Sequence, residues 1–114
     1  GWTAPGGPAR VMSFSYTALQ RVERLAPGVR KVMLIEHPRA WPMLRRVIGD
    51  DWILGPGVAM LRENPRLAER ITAAGHDLHV WTVNKPADLE LCRSLGVKAV
   101  ISDRPAYILD LLGA

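Results

Sequence analysis

Hydrophobic and polar residues follow two alternating patterns along this chain. Short apolar or β-rich runs predict five strands, the third of them least clearly defined, at Arg10–Phe14, Lys31–Ile35, Asp51–Leu54, Asp77–Val83 and Lys98–Ile101. Apolar residues at helical spacing predict the intervening helices, at Tyr16–Ala26, Pro38–Ile48, Pro65–Ala74, Pro86–Leu95 and Ala106–Leu112. Strands that alternate with helices across short loops indicate βα units and a parallel sheet.

Proline, glycine and asparagine mark the expected ends of these elements. Asn64 is predicted to cap the helix that begins with Pro65, and Gly75 fits the far end of that helix. Pro42 should limit the second helix to one irregular piece. The stretch GPGVAML, residues 55–61, is expected to be a loop whose Gly-Pro-Gly is only a turn.

Composition and charge narrow the class of protein. At 114 residues with 48% hydrophobic content, the chain is one small globular domain, with residues 1–9 as a loop or linker and 10–114 as the folded part. The net charge of +4 comes from scattered arginines, which favours solvated helix faces over a nucleic-acid surface. A single cysteine, Cys92, excludes an intrachain disulfide and is expected to be buried.

Membrane and targeting signals are not evident. No apolar run approaches the roughly 20 residues that span a bilayer, so no membrane span is expected. No signal peptide opens the sequence, but it does not begin with methionine, so the compartment stays open with the cytoplasm slightly favoured.

Four short motifs occur in order over about ninety residues. They are Ser13-Phe14, Val80–Asn84 (VWTVN), Leu95-Gly96-Val97 and Ser102–Pro105 (SDRP). In type, order and spacing they resemble the C-terminal half of the glycerophosphodiester phosphodiesterase family. The resemblance implies the C-terminal half of a TIM (β/α)8 barrel, a fold that takes about 250 residues when complete.

The resemblance also implies an activity. Members of that family hydrolyse glycerophosphodiesters to glycerol 3-phosphate and an alcohol, with a divalent cation (Mg²⁺ or Ca²⁺) held by carboxylates and two histidines as acid and base. Of the family's motifs for that chemistry, His-Arg-Gly, Glu-Asn-Thr and Glu-x-Asp do not occur in these 114 residues, and the one His-Asp pair, His76-Asp77, stands without them. This chain alone is therefore expected to be inactive and to bind no cation by itself.

Four residues are candidates for a supporting site. The family pattern places Trp81 and Phe14 as walls of the substrate pocket, although either can equally be a packed barrel layer. Asn84 is expected to cap the following helix or to hydrogen-bond the rim. Asp103 is expected to orient an active-site group or, preferably, to cap the helix after it.

Other polar residues are better explained by structure than by chemistry. Glu36 and His37 follow a predicted strand, but Pro38 comes next and no second carboxylate is spaced to help, so a loop cap is favoured. His76 and His79 lie three apart, which in an extended chain puts their side chains on opposite faces and argues against a shared metal site.

Two functions therefore remain open. The chain is part of a phosphodiesterase acting on a small glycerophosphodiester, or it is a non-catalytic half-barrel module. An open half-barrel leaves sheet edges and apolar interior exposed, so either a homodimer or a complementary N-terminal half is expected as partner.

Overall fold

Residues 10–113 are described by a computed structural model, in which five strands alternate with six helices. The strands are β1 (Arg10–Ser13), β2 (Arg30–Ile35), β3 (Ile53–Pro56), β4 (His79–Trp81) and β5 (Ala99–Ile101). The helices are α1 (Tyr16–Leu25), α2 (Ala40–Leu44), α3 (Val58–Glu63), α4 (Pro65–Ala73), α5 (Pro86–Ser94) and α6 (Pro105–Leu111). The predicted linker, residues 1–9, lies outside the described range. None of the described helices is long and apolar enough to cross a membrane.

The strands are parallel and lie side by side in chain order. Strands β1, β2 and β3 form one hydrogen-bonded sheet, and β4 pairs with β5. The two groups meet where the Leu54 N–H donates to the Asp77 carbonyl at 3.0 Å and where Gly57 lies opposite Trp81 in a parallel bridge. Successive parallel strands joined by helices are the repeating unit of a barrel, and the predicted βα architecture is confirmed.

One face of the sheet is covered by helices and holds the main core. Alternate residues of the strands pack there against side chains from the helices. They are Met33, Ile35, Leu54 and Val80 from the strands, Leu78 directly before β4, and Leu19, Leu61, Ile71, Leu89 and Cys92 from the helices. Cys92 is 2% exposed, as its apolar helical position predicted. Burial raises the pKa of its thiol to about 11.

The opposite face of the sheet, called the inner face below, is partly closed by the curvature of the sheet. Val32 and Ile53 lie on this face and are fully buried, because the sheet curves until Phe14, just after β1, contacts Trp81 on β4. Apolar exposure remains near β1, where Met12 is 43% and Phe14 49% exposed. The apolar inner face that was expected to be exposed is thus exposed near β1, whereas its central residues on β2 and β3 are buried.

Two predictions between residues 51 and 61 are wrong. The third strand is Ile53–Pro56 rather than Asp51–Leu54, and the expected loop contains α3. Glycine and proline are poor strand formers, but a Cβ on Gly55 would lie 2.7 Å from Leu34 Cδ2, so the neighbouring side chain fills the space that glycine leaves. Packing against β2 therefore overrides the local turn signal.

Smaller differences concern the ends of elements. The second helix is confined to Ala40–Leu44 and turns follow it, consistent with the limit expected from Pro42. Asn64 stands at the N-cap of α4, but its side chain makes no capping bond and instead donates to the Met60 carbonyl at 3.3 Å.

A buried lysine fixes α1 to the sheet. The Lys31 side chain is fully buried on the helix-facing side of β2. Its Nζ donates to the carbonyl oxygen of Val29 at 2.6 Å and lies 2.8 Å from Glu23 Oε2 on α1. A charged group so enclosed is stable only when its donors are satisfied, and the partners of Lys31 come from the loop before β2 and from α1.

A second polar contact joins α3 to α5. Arg62 Nε donates to Asp88 Oδ1 at 2.9 Å, and a terminal guanidinium nitrogen donates to Oδ2 at 3.2 Å. Asp88 is 5% exposed, so the paired bonds compensate the burial of its carboxylate. The hydrogen bond to Asp88 raises the pKa of Arg62.

Candidate active-site wall

Trp81 is held in one orientation at the end of β4. Its indole N–H donates to the carbonyl oxygen of Gly55 on the neighbouring strand β3 at 2.7 Å. Its ring lies over Gly57, where a Cβ would be 3.4 Å from two ring carbons. Trp81 is half-buried, while the preceding Val80 points to the helices and is fully buried. Because successive residues of a strand point to opposite faces of the sheet, the indole lies on the inner face.

Phe14 and Trp81, separated by 67 positions, lie against each other. Their ring centroids are 5.7 Å apart and their planes make an angle of 86°, the edge-to-face geometry that aromatic rings prefer. Parallel strands end on the same edge of a sheet, so the contact lies near the C-terminal edge, where barrel enzymes place their active sites. The two residues predicted as pocket walls are therefore in contact.

Asn84 and Asp103 belong to one hydrogen-bond network at the same edge. Asn84 Oδ1 accepts from Ser102 Oγ at 2.7 Å and from the Asp103 N–H at 3.0 Å, and its amide nitrogen lies 3.5 Å from Asp103 Oδ2. The network connects the loops that follow β4 and β5. The capping alternatives are not observed, since the N-cap residues of α5 and α6 are Lys85 and Arg104 and neither makes a side-chain capping bond.

The polar residues after β2 have structural surroundings. His37 Nδ1 accepts from the Arg39 N–H at 3.1 Å, the loop-cap geometry that was favoured, and Glu36 is exposed. Both line a groove of about 370 Å³ that Phe14 and Met43 also border. The groove is mainly apolar, and no described residue pairs the imidazole with a carboxylate.

The two histidines near β4 are both buried and have different neighbours. His76 Nδ1 lies 2.8 Å from the Trp52 carbonyl oxygen, and its ring contacts Trp41 edge-on. Burial lowers the pKa of His79, and the charges of Arg10 and Arg30 lower it further. Within residues 10–113, no three His, Cys, Asp or Glu side chains come close enough to hold a metal ion.

Gly55 and Gly57 were not predicted to belong to this region. Both were interpreted as a turn, whereas the first supplies the carbonyl that binds Trp81 and the second the space that its ring occupies. Glycines two apart directly after the start of a β-rich run can indicate a close approach between neighbouring strands.

Comparison with known proteins identifies the family. The model of the "Glycerophosphoryl diester phosphodiesterase family" matches residues 3–107 of this chain. The chain belongs to the glycerophosphoryl diester phosphodiesterase family. The resemblance carried by the four motifs is thus confirmed.

Curated relatives match this chain over only part of their own length. Two curated proteins of Mycobacterium tuberculosis (strains CDC 1551 / Oshkosh and ATCC 25618 / H37Rv), each named "Probable glycerophosphodiester phosphodiesterase 1", are 33% identical over 97 residues. The match takes in 85% of this chain and 35% of each relative, so the chain spans about a third of their length.

Solved structures show the fold. A putative glycerophosphoryl diester phosphodiesterase from Silicibacter pomeroyi superposes with a TM-score of 0.73 at 24% identity, over 89% of this chain and 36% of that one. An Oleispira antarctica phosphodiesterase in complex with the product sn-glycerol-3-phosphate gives 0.75 at 22%, over 95% and 43%. These neighbours are TIM-barrel proteins. The five parallel strands therefore correspond to part of a (β/α)8 barrel.

Proposed function

We propose that this chain is the C-terminal part of a glycerophosphodiester phosphodiesterase, which hydrolyses glycerophosphodiesters to glycerol 3-phosphate and an alcohol. The family match over residues 3–107 carries the proposal. The chain's contribution is the pocket wall formed by Trp81 and Phe14 and the rim formed by Asn84 and Asp103. The catalytic histidines and carboxylates lie outside this chain.

The divalent cation of the family is assigned to that other part of the barrel. The described residues do not fit such a site, because a hard cation needs several clustered oxygen ligands and residues 10–113 gather no group of three candidate ligands. The exposed carboxylates of Glu36 and Asp103 follow different strands, β2 and β5. Mg²⁺ or Ca²⁺ is thus a cofactor of the whole domain.

A chimera tests this function. The segment of the curated mycobacterial relative that matches this chain would be replaced by residues 3–107, and release of glycerol 3-phosphate from a glycerophosphodiester would be followed with Mg²⁺ present. We expect a folded, active chimera and a marked loss of activity in its Trp81→Ala variant. A chimera that is monodisperse and folded, yet inactive, would contradict the proposal.

A second candidate function is a non-catalytic half-barrel that associates with itself. It is favoured by the exposed Met12 and Phe14 and by strand edges, since among the described residues β1 pairs only with β2 and β5 only with β4. Light scattering of the 114-residue chain over a range of concentrations separates the two candidates. A concentration-independent dimer would favour self-association, and a monomer would favour a separate complementary half.

A further inference from the structure

Gly57 and Trp81 are direct cross-strand neighbours at the edge that forms the proposed pocket wall. They are partners in the parallel bridge between β3 and β4, so their side-chain positions lie on the same face of the sheet. The indole lies across the position that a side chain at residue 57 would take. The placement of the ring therefore depends on what residue 57 carries.

The backbone at residue 57 does not itself require glycine. Its φ of −69° and ψ of 146° are extended values that any residue adopts. The limit comes from Trp81 alone, because the three nearest atoms to a Cβ at this position are all carbons of the indole, at 3.4, 3.4 and 3.8 Å. These distances are ordinary contacts, so alanine fits at this position.

A larger residue does not fit while the indole keeps its orientation. A β-branched side chain extends two methyl groups about 1.5 Å beyond Cβ, and a contact that begins at 3.4 Å leaves no room for them on the indole side. Trp81 would have to rotate, and rotation breaks the 2.7 Å bond from its N–H to the Gly55 carbonyl. It would also change the edge-to-face contact with Phe14.

We propose that Gly57 positions the pocket wall: the small size of residue 57 allows the Trp81 indole to lie across the mouth of the pocket, and the Gly55 carbonyl fixes the rotation of the ring. The inference rests on the proposed function, in which Trp81 forms a wall of the slot for the glycerol end of the diester. Gly57 is a positioning residue and Trp81 the residue that touches substrate.

The test is fluorine NMR of the 114-residue chain with 5-fluorotryptophan at its four tryptophans, the Trp81 resonance being assigned with Trp81→Phe. The variants are Gly57→Ala, Gly57→Val and, as a matched control, Ala59→Val, which adds the same methyl groups at an exposed position of α3. Gly57→Val should shift the Trp81 fluorine resonance. In the proton spectrum it should move the indole N–H signal of Trp81 upfield, because the bond to the Gly55 carbonyl is broken. Gly57→Ala and Ala59→Val should leave both close to wild type.

Two outcomes would overturn the inference. One is a Trp81 resonance that stays in place in Gly57→Val. The other applies if the Gly57→Val chain fails to fold. Adding Trp81→Ala then removes the ring that the valine would meet and should restore folding. If the double variant stays unfolded while Trp81→Ala alone folds, the contact between residue 57 and the indole is not the cause of the folding defect, and the inference is overturned.

Fluorine spectra of the chimera separate this inference from the proposed function. In the wild-type chimera described above, titration with sn-glycerol 3-phosphate should move the Trp81 resonance. Absence of that movement counts against Trp81 as a substrate wall, whereas the response of Trp81 to Gly57→Val is measured without ligand and stands or falls separately.

Discussion

Replacing Lys31 by methionine measures what the buried ammonium contributes to the fold. Two effects oppose each other in Lys31→Met. The substitution removes a fully buried charge whose desolvation is costly, which favours the variant. It also removes the hydrogen bonds that Nζ donates to the Val29 and Pro27 carbonyl oxygens, at 2.6 and 3.4 Å, and the ion pair with Glu23.

The structure indicates that the losses prevail. A buried carbonyl left without its donor costs about 1–3 kcal/mol, and the short bond to Val29 is of that kind. The loss of the Glu23 contact adds to this, because the Oε2 atom that faces Nζ is itself buried, although the side chain as a whole is 37% exposed, and the substitution leaves this oxygen without its cation. The methionine keeps most of the apolar contact. We therefore expect Lys31→Met to lower the free energy of unfolding by about 2–3 kcal/mol.

Urea unfolding followed by tryptophan fluorescence is the assay. With a urea dependence of about 2 kcal/mol per molar, the midpoint should fall by about 1 M or more. Lys98→Met, at an exposed position, is the matched control and should change the midpoint little. If Lys31→Met leaves the midpoint unchanged or raises it, desolvation of the ammonium outweighs its hydrogen bonds and the reasoning is refuted.

Three further predictions concern other buried groups. The pKa of His79 is lowered in the folded state, so the unfolded state binds more protons. The contribution of His79 to the free energy of unfolding is therefore fully present above about pH 6.5 and is lost as the pH falls through the folded pKa. His79→Gln should weaken that decline in thermal melts, and an unchanged pH profile would contradict the prediction. Arg62→Ala leaves the buried Asp88 carboxylate without its partner and should clearly lower the urea midpoint of unfolding. The midpoint of Arg62→Lys should lie between those of Arg62→Ala and wild type, and the midpoint of Arg66→Ala, at an exposed position, should stay near wild type. Equal midpoints for wild type, Arg62→Ala and Arg62→Lys would refute the pairing. Cys92 should resist Ellman's reagent at pH 8 in the native chain, because its pKa of about 11 leaves about a thousandth as thiolate, whereas labelling as fast as in urea would show that the thiol is accessible.

Much of the fold followed from local pattern. The run KVMLI predicted β2 almost to its observed ends, and the spacing of Leu19 and Val22 predicted α1, because each element's apolar period agrees with the face it buries. The region after Asp51 failed for a reason that no local pattern contains. Gly55 and Pro56 extend β3 because they pair in register with Leu34 and Ile35, residues twenty-one positions earlier in the chain.

The candidate wall was predictable by residue but not by arrangement. The family resemblance suggested that Trp81 and Phe14 are walls of the substrate pocket. The contact of Trp81 with Phe14 depends on the curvature of a sheet of several strands, and its bond to the Gly55 carbonyl depends on a backbone group that has no side-chain signature. Long-range geometry of this kind is decided by packing across the sheet.

We propose that this chain supplies the wall of a phosphodiesterase pocket and none of its catalytic groups. The most direct measurement is release of glycerol 3-phosphate from a glycerophosphodiester by the purified 114-residue chain, in parallel with Mg²⁺, with Ca²⁺ and with a chelator. We expect no release above the buffer blank under any of the three conditions. Release that rises with chain concentration and is abolished by the chelator would contradict it, because a cation and catalytic groups would then have to be held by residues of this chain.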